Sequence, residues 1–208
     1  MTASASAVAT ERAYRFLFLP AENADASWLE FLPPILVQAC KHSRLGLRML
    51  SRALVQRWRL RRPDSLRIGQ EIEWVLGGAD AVHARALRLG VCALAAQLQR
   101  EIRRDRVAVL RAAFGPIYEW AMGVEALSVQ IPERLQRVSA GDAEAVRAAA
   151  SEIGLGVMLA LLADHELALR QRVALLFPRA QAEAVFSNPG WVDAHTAHRL
   201  AELSATGD

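Results

Sequence analysis

YRFLFLPAENADASWLEFLP, residues 14–33, opens on an aromatic–aliphatic run, breaks at Pro20 and resumes with Ser27-Trp28-Leu29 before a second proline. Arg15 to Leu19 reads as a short extended piece ended by Pro20, which has no N–H to donate. Asn23 to Ser27 supplies turn and cap chemistry, since Asp25 or Ser27 can accept from the first free N–H groups of a helix. Trp28, Leu29, Phe31 and Leu32 then make a dense apolar knot. Pro33-Pro34 interrupts it, and Pro34 suits the first turn of the next helix. No nucleophile with a partnering base, phosphate loop or metal-ligand spacing occurs here. The stretch has the character of an anchor that folds back onto a helical body.

Composition supports such a body. The chain has 208 residues, 53% of them hydrophobic, enough for a core of normal size in one domain. Alanine, leucine and arginine dominate while β-branched residues and tyrosine are sparse, which favours helices. The expectation is an all-α, single compact multi-helix domain over residues 12–203, with a short extended N-terminal segment. Residues 1–11 and 204–208 are expected to be flexible tails.

Charge narrows the function classes. The 25 basic and 22 acidic residues leave a net +3, a modest excess rather than a nucleic-acid-grade basic surface. Lys41 is the only lysine, and this arginine bias reflects genome base composition more readily than a demand for bidentate anion recognition. Cys40 and Cys92 are widely separated and read as reduced, buried thiols of a cytosolic protein. The start MTASASAVATER lacks the basic region and apolar run of a signal peptide. The longest apolar run, Ile153 to Ala163, is well short of the ~20 residues a membrane span needs. A soluble cytoplasmic chain is expected.

Periodicity places the helices. Between residues 35 and 60, Leu47, Leu50, Leu54 and Trp58 share one face, while Arg44, Arg48 and Arg52 recur on another. The arginines of WRLRRP complement the negative end of that helix before Pro63 stops it. Residues 66–76 form a short helix or turns closed by Gly77-Gly78. Residues 81–103 are helical through Val91, Leu94, Leu98 and Ile102. Asp105 is the expected cap of the next helix, which buries Val107 or Leu110 with Ala113 and Phe114 and breaks at Gly115-Pro116. Another helical piece carries Tyr118 and Trp120. Helices follow over 132–138 and 142–162, the latter capped by Asp142, with Gly154 and Gly156 allowing close helix approach. Residues 166–177 and 191–203 complete the set, separated by the Asn188-Pro189-Gly190 turn.

The candidate chemistries are thin. His195 and His198 are three apart and could join Asp193 at a metal, yet no third strong ligand is placed by sequence. Asp164-His165-Glu166 resembles an acid–base set, but adjacent helical residues point about 100° apart. A helix N-cap followed by first-turn acidity explains the run better. His42 and His83 are isolated. No catalytic residue, metal or cofactor is assigned, and the chain is expected not to be an enzyme. A small helical enzyme using one of these two clusters is the reading set against that.

The strongest surface feature is the arginine series Arg44, Arg48, Arg52, Arg57, Arg59, Arg61 and Arg62. Such a series is either a solvated face neutralised by Glu71, Glu73 and other local acids or a surface that suits phosphates, an anionic membrane or an acidic protein face. Helix-turn-helix spacing, a Gly-rich RNA motif and a zinc finger are all missing, so a protein partner is favoured. Arg44, Arg48, Arg52 and Arg59 are therefore candidate protein-binding residues. The alternative is a helical DNA-binding regulator using residues 41–62. Of the tryptophans Trp28, Trp58, Trp74, Trp120 and Trp191, most are expected to anchor the core. Trp28 and Trp191, near the two ends, are further candidates for a partner surface.

In order along the chain, these features resemble the SctK (YscK/PscK/Hrp-type) family of type III secretion systems. The YRFLFLP start, spacer and SWLEFLP resemble its N-terminal signature. Residues 86–122, ALRLGVCALAAQLQREIRRDRVAVLRAAFGPIYEWAM, are similar to its central region, and LALRQRVALLFP, residues 167–178, to its C-terminal helix. The resemblance implies a cytoplasmic, non-enzymatic sorting-platform component at the cytoplasmic face of the injectisome. Its implied partners are the SctQ pods and the cytoplasmic domain of the inner-membrane ring protein SctD, and through them the SctL–SctN ATPase complex. It implies no small-molecule substrate, cofactor or nucleic acid, and contact with the membrane only through partners. The arginine candidates rest on their spacing alone.

Overall fold

Alanine-rich sequence makes residues Thr2–Phe18 helical from the outset (α1). The computed structural model describes residues 2–65, 68–133, 135, 142–188 and 190–205. The next helices are α2 (Pro34–Lys41), α3 (Arg44–Arg57), α4 (Ala79–Leu98), α5 (Arg104–Phe114) and α6 (Pro116–Gly123). They are followed by α7 (Ala143–Leu161), α8 (Leu167–Ala174), α9 (Arg179–Ser187) and α10 (Ala194–Ala205). Short 3₁₀ turns occupy Pro20–Glu22, Ala26–Leu29 and Gln70–Gly77. Among the described residues no strand is present, and the protein is all-α. Two compact units emerge, residues 1–82 with 164–182 and residues 83–163 with 183–208, the divisions falling inside α4, between α7 and α8, and inside α9.

In the first unit α1 corrects two expectations. Residues 15–19 are not extended, and helix begins within the stretch expected to be a tail. Ala13, Phe16 and Leu17 are buried at helical spacing, and Tyr14 stacks on Phe18 with centroids 5.5 Å apart. Packing of that stripe decides for helix where aromatic content suggested strand. Asp25 caps the 3₁₀ turn Ala26–Leu29 by accepting from the Ser27 N–H at 2.9 Å. The following segment docks on the turn after α8. Asp25 N–H donates to the Leu175 carbonyl (2.8 Å), the Trp28 indole N–H to the Phe177 carbonyl (2.8 Å), and Arg179 N–H to Ser27 Oγ (2.8 Å).

The long helix expected over 35–60 is broken at His42–Ser43. Ser43 turns extended and its Oγ accepts from Gly46 N–H at 2.9 Å, capping α3. Glycine is needed there, because a Cβ at position 46 would sit 2.5 Å from the Cys40 carbonyl oxygen. Within residues 166–177 helix stops at Ala174.

In the second unit α4 and α7 meet backbone to backbone. A Cβ on Gly90 would overlap the Ala150 carbonyl, and one on Gly154 would overlap the Ala86 carbonyl. Each helix thus presents two small residues four apart, Ala86 and Gly90 facing Ala150 and Gly154. Gly156 serves differently, making room for the Trp191 indole, 2.6 Å from where its Cβ would be. Asp142 caps α7 as expected, accepting from Ala145 N–H at 2.9 Å. Gly115, at φ 55, ends α5, and Pro116 starts α6. Asp105 lies in the first turn of α5 rather than at its cap, where Arg103 stands, and Ile102 is exposed beyond the end of α4. Gln99 Nε2 ties down the end of α6 through the carbonyls of Ala121 (3.0 Å) and Val124 (2.8 Å). Residues 66–67, 134, 136–138, 189 and 206–208, which carry parts of the expected 66–76 and 132–138 elements, the 188–190 turn and the C-terminal tail, lie outside the described residues.

Candidate partner-binding surface

α3 has two faces of identical spacing. Leu47, Leu50, Ser51 and Leu54 stand at i, i+3, i+4 and i+7 and are buried, Ser51 Oγ accepting from Ala21 N–H at 3.2 Å. Leu45, Arg48, Met49 and Arg52 repeat that spacing two residues earlier, about 200° around the helix. Burying the first set therefore exposes the second. Leu45 is 70% and Met49 63% exposed, and Arg44, Arg48 and Arg52 are exposed as well. Among the described residues, none of these three arginines pairs with a carboxylate.

α2 extends the surface. None of its residues is buried; Ile35 is 83% and Leu36 46% exposed. On the other side of α3 lies a groove of about 220 Å³ lined by Glu11, Tyr14, Arg15, Leu19, Arg44, Leu47 and Arg48. Arg15 is already held by Glu22. Arg44 and Arg48 are therefore the groove's available guanidinium groups, with Glu11 its one lining carboxylate.

The end of the basic series is fixed from α8. Arg59 adopts φ 50, a left-handed conformation that turns the chain out of α3, and its side chain is exposed. Arg57 and Arg179 place their guanidinium groups over the Trp58 ring at 4.8 and 5.0 Å. Arg61 N–H donates to Gln171 Oε1 at 2.7 Å, and Asp64 N–H to Glu166 Oε2 at 3.2 Å.

Arg172 completes this support and is the residue the sequence did not announce. It is only 3% exposed, donating from Nε to the Leu17 carbonyl (2.9 Å) and from Nη2 to the Arg61 carbonyl (3.1 Å). The Leu17 carbonyl belongs to the last turn of α1, where acceptors lack helical partners and a cation is favoured. Burial pushes the guanidinium down to about 10, so it stays charged at neutral pH. Its one available signal was position, between Leu169 and Val173 on an apolar face of α8.

The tryptophan candidates divide. Trp28 is 7% exposed and its N–H is engaged by Phe177, which makes it a core anchor and corrects its assignment to a partner surface. Trp191 is half-buried against Gly156. Trp58 and Trp120 each sit beneath a guanidinium, Trp120 under Arg88 at 4.7 Å.

The chemistry-bearing clusters have local structural work. Asp193 caps α10, accepting from Thr196 N–H (2.9 Å) and Thr196 Oγ1 (2.7 Å), and these bonds hold its carboxyl below the usual range. His198 Nδ1 lies 2.7 Å from the Ala194 carbonyl. Among the described residues no group of three or more His, Cys, Asp or Glu side chains is arranged to hold a metal. Asp164 and His165 lie in the loop before α8, and Glu166 stands at its N-cap position with its carboxylate on Asp64 rather than on the helix. Cys92 is buried as expected, which pushes its thiol up to about 11, whereas Cys40 is only half-buried on α2. No helix among the described residues is long and apolar enough to cross a membrane. Compared with known protein families, curated proteins and solved structures, the chain matches none.

Proposed function

We propose that this protein is a non-enzymatic helical adaptor of the SctK type, joining SctQ pods to the cytoplasmic domain of SctD at the cytoplasmic face of the injectisome. The resemblance over residues 14–177 supplies the partners. The observation that carries the adaptor reading is the row Arg44–Arg48–Arg52, exposed on α3 without carboxylate partners among the described residues. Uncompensated arginines on a rigid helix favour an acidic protein face, where their planar forks engage carboxylates bidentately. Leu45 and Met49 on the same face suit a protein better than a phosphate backbone, which offers nothing apolar to cover them. Arg59, at the outgoing end of α3, extends the basic row.

Co-expression with SctQ and SctD homologues from the same locus, followed by size-exclusion chromatography, tests this. Co-elution is expected, and R44E/R48E/R52E should reduce it while leaving the far-UV circular dichroism unchanged. Undiminished co-elution of that variant removes the arginines from the interface, and no co-elution of the wild type removes the adaptor. Steeply salt-dependent binding to duplex DNA would replace it with the regulator.

A further inference from the structure

We infer that α2 and the outward face of α3 together seat an acidic amphipathic helix of a partner protein. This deepens the adaptor reading and rests on it for the existence of a protein partner.

Four large apolar side chains, Ile35, Leu36, Leu45 and Met49, are exposed on two consecutive helices. The fold of the first unit does not account for α2, which buries none of its residues and is fastened to α3 by the close approach of Gly46 to Cys40. A helix that short is marginal by itself in water. An apolar face supplied by a partner gives it something to pack against.

Charge specifies the occupant. Arg44, Arg48 and Arg52 are spaced every fourth residue, about 6 Å apart along the axis. Carboxylates at i, i+4 and i+8 on a helix lying alongside have the same repeat, so each arginine meets one in turn. The groove beside Arg44 and Arg48, about 220 Å³, has room for an acidic side chain at the end of that row. Glu11 also lines the groove and sets a limit there of one uncompensated arginine. A membrane is the poorer occupant. Arg48 and Arg52 lie on the same face as Leu45 and Met49, so immersing the apolar pair in lipid would take guanidinium groups with it.

The test uses the full-length protein and a fluorescein-labelled designed peptide, helical, with leucines at i, i+3, i+4 and i+7 and glutamates every fourth residue beside them. Binding is expected, with hydrogen-exchange protection confined to residues 34–52. L45S/M49S and R44E/R48E should each weaken it about tenfold or more. A peptide with lysines for the glutamates should bind R44E/R48E/R52E in preference to wild type. No binding, protection elsewhere, indifference to L45S/M49S, or preference for phosphatidylglycerol vesicles over the peptide would overturn the inference. If the peptide fails while SctQ or SctD homologues still co-elute, the helix seat falls and the adaptor stands. If the peptide binds this face and no homologue co-elutes, the surface stands and the adaptor falls.

Discussion

The indole of Trp58 meets the indole of Trp28 edge to face, centroids 5.6 Å apart and planes at 86°. Trp58 Nε1–H also donates to the Trp28 carbonyl at 3.0 Å, while Trp28 Nε1–H reaches the Phe177 carbonyl at 2.8 Å. One relay thus ties the N-terminal anchor, the end of α3 and the turn after α8. Trp28→Ala is expected to destabilise the protein by about 3–5 kcal/mol in urea unfolding. Trp58→Phe keeps an aromatic ring but removes the pyrrole half of the indole and its hydrogen bond, a smaller loss of about 1–2 kcal/mol. Equal effects of the two would contradict the relay.

Arg172 holds α1 to the segment after α3 through two carbonyls. Arg172→Ala leaves both acceptors unanswered and should cost about 2–4 kcal/mol. Amide exchange in α1 should accelerate more than in α7. Uniform acceleration across both helices would show that Arg172 has no local fastening role.

At Gly154 a methyl has no room against the Ala86 carbonyl, whereas at Gly123 nothing lies within 4 Å. Gly154→Ala is therefore expected to lose about 1–3 kcal/mol. Gly123→Ala should be neutral or gain up to about 1 kcal/mol, because alanine restricts the unfolded chain. Thermal melts of the two variants side by side check this, and a stable Gly154→Ala would mean that α4 and α7 are not in backbone contact.

Burial raises the Cys92 thiol from 9.0 to about 11, so between those values the unfolded chain binds fewer protons than the folded one. Stability should be unaffected below about pH 9 and fall as pH rises towards 11, by on the order of 2 kcal/mol. Cys92→Ala should lack that alkaline loss. In the native protein a thiol reagent should modify half-buried Cys40 and reach Cys92 only on unfolding.

Local signals were legible where local chemistry decides. Asp142 before α7, the Gly115–Pro116 break and the leucine stripe of α3 follow from capping, φ preference and helical period. The helix over residues 15–18 was not legible, because an aromatic–aliphatic run before a proline fits a strand or a helix equally. Burial of Phe16 and Leu17 then chose the helix. Periodicity carries across Ser43 and hides the break there, since capping needs the hydroxyl to meet Gly46.

The chain by itself determined an all-helical protein with an arginine row at four-residue spacing, since propensity and periodicity act over a few neighbouring residues. Tertiary structure decided that Trp28 is interior, that Arg172 is buried on backbone carbonyls, and that Arg44, Arg48 and Arg52 form no ion pair among the described residues. Those outcomes depend on which groups, up to 155 positions apart in Arg172 and Leu17, arrive at the same place. Helical period carries no information about such meetings.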